Sequence, residues 1–132
     1  MNFPASHLTI TIHCSPQVVY DFASNPANLP LWAQGLSHAV IVEKEDFWET
    51  DSPMGKVKIK FAPKNDFGVM DHDVILPNGE VNHNPFRVVK NGDASEVIFT
   101  LYRLPSMTDE DFLKDSQQIV ADLKKLRSFL EK

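Results

Sequence analysis

Asp71-His72-Asp73, with His83 and Arg87 downstream, are the residues of this sequence best suited to chemistry. An imidazole exchanges protons near neutral pH, and a guanidinium steadies a carboxylate, phosphate or enolate oxygen. An aldol-type cyclisation or dehydration needs such a pair, a base to take a proton and a cation to hold the oxyanion. His72 and His83 are therefore the candidate acid–base groups. Whether they meet depends on strand pairing. Asn78-Gly79 between two strand-like runs predicts a two-residue hairpin, with Leu76 opposite Val81, Val74 opposite His83 and Met70 opposite Arg87. Met70, His72, Val74, Leu76, Val81, His83 and Arg87 then share one face. Asp71, Asp73, Ile75, Asn82 and Asn84 take the other. The first set is the more apolar, so it is assigned to the interior. A structural reading of the same residues stays open, in which the histidines bond the backbone or each other and Arg87 pairs with Glu96.

Other chemistries find less support. Zinc needs three or four converging ligands, and Asp71 and Asp73 point away from His72 in a regular strand, so no metal site is expected. There is no Gly-rich phosphate loop, Gly-x-Ser-x-Gly elbow or dinucleotide fingerprint, and no cofactor is expected. Cys14 is the only cysteine, which excludes an intrachain disulfide. Its neighbour His13 would point to the opposite face of a strand, and Cys14 reads as a small buried hydrophobe. Trp32 lies where a pocket mouth should be and is a candidate ligand contact. Asn65, after the fourth strand, is a candidate at the rim, with a turn-forming role as the simpler account.

Elements of two periods must position these groups. His7 to His13 alternates, with Leu8, Ile10 and Ile12 on one face. Ser15-Pro16 caps and opens a short helix carrying Val18, Val19 and Phe22 toward the core. Pro26 to Trp32 reads as a second short helix interrupted by Pro30. Strands follow over His38 to Glu45, Phe47 to Asp51, and Val57 to Phe61, the last alternating with Lys56, Lys58 and Lys60 on a solvated face; Ser52-Pro53-Met54-Gly55 breaks the chain before it. Gly68 to Leu76, Glu80 to Lys90 and Ser95 to Leu104 are three further strands. Thr108 then caps a run opened by Asp109, Glu110 and Asp111, which suit the positive end of a helix dipole. Phe112, Ser116, Ile119, Leu123, Leu126 and Leu130 form its mainly apolar stripe. A helix over 108–132 spans roughly 35 Å, enough to cross a small domain.

At 132 residues a second core would be too small, and one domain over residues 1–132 is expected. A net charge of -5 argues against nucleic acid or an anionic membrane as the main partner. No apolar run approaches membrane-spanning length, and a cytoplasmic location is expected. The expected fold is α+β: a curved antiparallel sheet of about seven strands around the C-terminal helix, two short helices after the first strand, and an apolar pocket between sheet and helix.

The pattern resembles the START-like or helix-grip (SRPBCC, Bet v 1-like) superfamily, with its polyketide cyclase/dehydrase and lipid-transport group. The resemblance is carried by the opening strand with Ser15 to Ala23, by Asn28-Leu29-Pro30-Leu31-Trp32, by Asp122-Leu123-Lys124-Lys125-Leu126, and by 65–74 with Pro85 to Val89. It implies a cavity for lipids, quinones or polyketide-like molecules, and no family-wide catalytic signature to carry over. Three functions follow. The first is binding of a small apolar or amphipathic ligand, with Met70, Val74 and Val81 lining the pocket and His72, His83 or Arg87 orienting the ligand's polar end. The others are a cyclase or dehydratase using His72 or His83, and a protein-interaction module with a vestigial cavity.

Overall fold

A computed structural model describes residues 1–36, 39–52 and 55–132. His38, Pro53 and Met54, which fall in the expected second strand and the break before the lysine strand, lie outside the described residues.

The first strand, β1 (Ala5–Ile12), pairs antiparallel with β8 (Ala94–Tyr102), setting Leu8 opposite Phe99 and Ile10 opposite Val97. Ser15 Oγ then accepts from the Val18 N–H at 3.4 Å and caps α1 (Pro16–Ala23). Val19, Tyr20 and Ala23 are the residues α1 buries; Val18, expected inside, is 48% exposed. The helix turns Tyr20 inward instead, where its hydroxyl accepts from the Asn65 N–H. Pro30 begins the one-turn α2 (Leu29–Trp32) rather than interrupting it, since proline is tolerated in a first helical turn.

Eight strands are present among the described residues, in two sheets. One sheet has the order β1-β8-β7, with β7 at Phe86–Asn91. The other runs β2 (Ile41–Glu43), β3 (Trp48–Ser52), β4 (Gly55–Phe61), β5 (His72–Ile75) and β6 (Val81–Asn84). The eighth strand arises because 80–90, expected as one strand, divides at Pro85. Proline cannot donate to a ladder, and its carbonyl is taken by the Thr100 N–H at 2.9 Å. The chain crosses there from one sheet to the other. On β4, Val57 and Ile59 are buried and the three lysines face solvent.

The β5–β6 hairpin corrects the expected register. Leu76 N–H donates to Glu80 at 2.9 Å, and the Gly79 N–H donates to Leu76 at 2.9 Å, so Pro77-Asn78-Gly79 is a three-residue loop. Pro77 supplies the preset φ of a turn, and Gly79 takes the positive φ of +89° that closes it. Val74 consequently faces Asn82, His72 faces Asn84, and His83 faces Asp73. Each β6 residue sits one position from its expected partner, which reverses its face.

The C-terminal helix, α3 (Asp109–Leu130), opens on a capping box between Thr108 and Asp111. Its far end is tied to the β1–α1 link. Glu131 accepts from the His13 N–H at 2.8 Å, and the Cys14 thiol donates to the Leu130 carbonyl at 3.2 Å. Leu123 and Leu126 are buried in a core with Ile12, Met70, Phe86 and Val97. These side chains pack against the sheet beneath this half of the helix.

Candidate ligand cleft

Open space lies at the other end. A cleft of about 640 Å³ is framed by β5, β6, the end of β8 with the following 101–107 segment, the N-terminal segment, and the first turns of α3. Val74 of β5 and Leu76 just after it supply one wall, and Leu101, Leu104 and Met107 another. The second wall is held in place by the backbone: Arg103 N–H donates to Pro4 at 2.8 Å, Met107 N–H to Leu104 at 2.9 Å, and the Arg103 guanidinium pairs with Asp109. Phe3 and Tyr102 set tilted rings at its edge, 6.5 Å apart. The terminal helix contributes Asp115 to the cleft rather than its apolar stripe.

Two polar groups stand out against these walls. Asn82, half-buried on β6, keeps Oδ1 shielded from solvent with no donor meeting it among the described residues. Such a lone pair lacks the hydrogen bond that buried acceptors ordinarily have. Asp115 stands at the rim, and burial together with the nearby Asp111 charge pushes its carboxyl above the ordinary carboxylate range.

Of the residues expected at the site, Val74 lines the cleft, and Val81 and His83 border it on the last strand of the sheet. His83 nevertheless turns its ring to Asp73, Nδ1 to Oδ1 at 2.7 Å, on the face away from His72. Arg87 also lies outside. Its guanidinium donates to both oxygens of Asp71, at 3.2 and 2.9 Å, and Glu96, its expected partner, is engaged by Thr11 and Asn91 instead. The common inward face expected for His72, His83 and Arg87 is therefore not formed, because the three-residue loop shifts β6 by one.

His72 does face inward, one step beyond Val74. It stacks on Phe61 at 4.6 Å, with Phe86 and Phe99 edge-on at 5.9 Å. Burial in this apolar sheath pushes its pKa well down, so the ring is neutral near pH 7. A carbonyl only accepts, so the 3.1 Å contact from Nδ1 to the Met70 carbonyl fixes the proton on Nδ1 and the lone pair on Nε2.

Met70 is fully buried in the core, and Trp32 is 4% exposed with its ring against Phe86 at 5.9 Å, so neither reaches the cleft. The Asn65 side chain is consumed by its own loop. Its Oδ1 accepts from the Phe67 and Val69 N–H groups, and its Nδ2 donates to the Pro63 and Val69 carbonyls. That loop borders a separate, shallower depression of about 320 Å³.

Sheet, short helices and gripping C-terminal helix together make a START-like, Bet v 1-like helix-grip fold. Solved structures agree with this across nearly the whole chain. The Aha1 dimer from Colwellia psychrerythraea superposes with a TM-score of 0.76 at 16% identity, covering 97% of this chain and 96% of that one. A START superfamily protein from Mycobacterium smegmatis gives 0.72 at 14%, covering 96% and 97%. Ara h 8.0201 gives 0.70 at 12%, also over 96% and 97%. No protein-family model matches the chain, and no curated protein matches it in sequence. No helix among the described residues is long and apolar enough to cross a membrane.

Proposed function

We propose that this chain, as a single domain, binds a small apolar or amphipathic molecule, of the lipid, quinone or polyketide kind, in the cleft between β5–β6 and the 101–107 segment. One observation carries the reading. Beside the packed core cluster a space of about 640 Å³ with mostly apolar walls stays open, a size typical of small-molecule sites. Apolar walls left against water are a standing driving force for an apolar occupant. The geometry supports binding over acid–base chemistry, since the inward His72 does not line the cleft and Arg87, the candidate oxyanion partner, is engaged by Asp71. We place this binding in the cytoplasm, in keeping with one unpaired cysteine and an acidic net charge of -5.

Native mass spectrometry after mild purification tests the reading, together with titration by a neutral, fluorescent naphthylamine probe. Retained small-molecule mass or saturable probe binding is expected, and Leu76→Trp should suppress it. A protein that emerges bare and leaves the probe dark would sink the proposal.

A further inference from the structure

Charge is distributed unevenly around the cleft. Asp115 is the one acid among its described lining residues, and no lysine or arginine lines it. The guanidiniums nearest in sequence to its walls are already engaged, Arg103 by Asp109 and Arg87 by Asp71. His83, at the border, is held by Asp73. Among the described residues no hydrogen bond steadies the Asp115 carboxyl, and the nearby Asp111 charge acts against its ionised form.

We infer that the cleft prefers amphipathic ligands whose polar end is a protonated amine and discriminates against carboxylates; the inference rests on the binding reading above. An ammonium brings both positive charge and N–H donors to the Asp115 carboxylate. It also finds the ring faces of Phe3 and Tyr102 at the edge, whose quadrupoles favour a cation. A carboxylate brings a like charge to Asp115 and no donor. Burial and Asp111 both disfavour the ionised Asp115, and a bound ammonium offsets both. An alcohol shares the donor and lacks the charge, so it ranks between the two.

Displacement of the naphthylamine probe by dodecylamine, dodecanol and dodecanoate, near pH 7 and at low salt, reads the preference with the chain length held constant. Dodecylamine should bind tightest and dodecanoate about tenfold or more weaker, a gap that added salt narrows. Asp115→Asn should bring the two within about threefold, and Asp115→Lys should invert their order. Asp115 lies at the solvent-facing rim of the cleft on α3, so both variants should fold, which circular dichroism checks. Equal affinity for amine and carboxylate, or a gap that Asp115→Asn leaves intact, overturns the charge preference while the cleft itself stands. If neither the probe nor any of the three binds, the cleft reading falls and takes the preference with it.

Discussion

Asp71 holds Arg87 against the outside of the sheet, Oδ2 to Nη2 at 2.9 Å and Oδ1 to Nε at 3.2 Å, while the same Oδ1 accepts from the Phe86 N–H at 2.9 Å. One carboxylate thus clamps the chain immediately after the Pro85 corner. The arginine that composition nominates for a ligand's anion is employed in architecture.

The two partners should differ in their effects. Asp71→Ala leaves the half-buried Phe86 N–H without an acceptor and should cost about 1–3 kcal/mol in urea unfolding. Arg87→Ala removes only a half-exposed partner and should cost less than about 1 kcal/mol. Burial alone would raise the Asp71 pKa, but Arg87 and the Phe86 N–H hold it below 3.8. Its contribution is therefore complete above pH 3.8 and is lost as pH falls through the lower folded value. Probe binding should be unchanged in Arg87→Ala; a large loss would return Arg87 to the site.

His72 sets a second pH dependence, of the opposite chemical type. Its folded pKa lies below the ordinary 6.5 because burial disfavours the imidazolium. The unfolded chain takes up the proton first, so stability declines as pH falls from about 6.5 toward the folded value, and is free of this penalty above 6.5. His72→Phe keeps a ring beside Phe61 and cannot titrate. Its urea midpoint should vary less with pH over that window than the parent's, and an identical profile would mean that His72 is not sheathed as described.

Much of this architecture is legible in the sequence. Thr108 with Asp111 announces the start of α3, and Leu123 and Leu126 announce its buried face, because capping and period are local properties. The cleft is less legible, for two physical reasons. Whether Leu76 or Pro77 closes the hairpin shows only in the Leu76 N–H bond to Glu80, and that choice reverses every residue of β6. Asn82 and Asn84 also look like solvent-facing residues in an alternating strand, whereas polar groups that meet a ligand need not follow the apolar pattern. Leu104 and Met107 lie beyond the last strand, where the Arg103 N–H bond to Pro4 and the Met107 N–H bond to Leu104 bring them to the wall. Nothing in their spacing encodes that contact.

Gly68 should be nearly intolerant of change. It sits at φ +71°, its carbonyl accepts from the Val88 N–H at 3.0 Å, and a Cβ there would collide with the Val88 carbonyl oxygen. Gly68→Ala therefore combines a disfavoured conformation with a backbone clash and should cost about 2 kcal/mol or more. Gly35 has open space around the same added atom and no positive φ, so Gly35→Ala should stay within about 0.5 kcal/mol of the parent. Thermal melts of the pair separate backbone constraint from any general sensitivity to alanine.

Wall and core make the sharpest contrast, because Leu76 and Met70 lie in one continuous segment yet meet different surroundings. Met70 is fully buried among core side chains, so Met70→Ala should leave a void and cost about 2–5 kcal/mol. Leu76 borders open space, so Leu76→Trp can project its added volume into the cleft without displacing packed neighbours. Its melting temperature should stay within a few degrees of the parent's, while affinity for the naphthylamine probe falls by about tenfold or more. Met70→Ala should show the reverse, a lowered melting temperature with probe affinity retained in the folded fraction. If Leu76→Trp folds and binds as the parent does, the probe sits elsewhere, and the smaller depression beside Asn65 becomes the place to look.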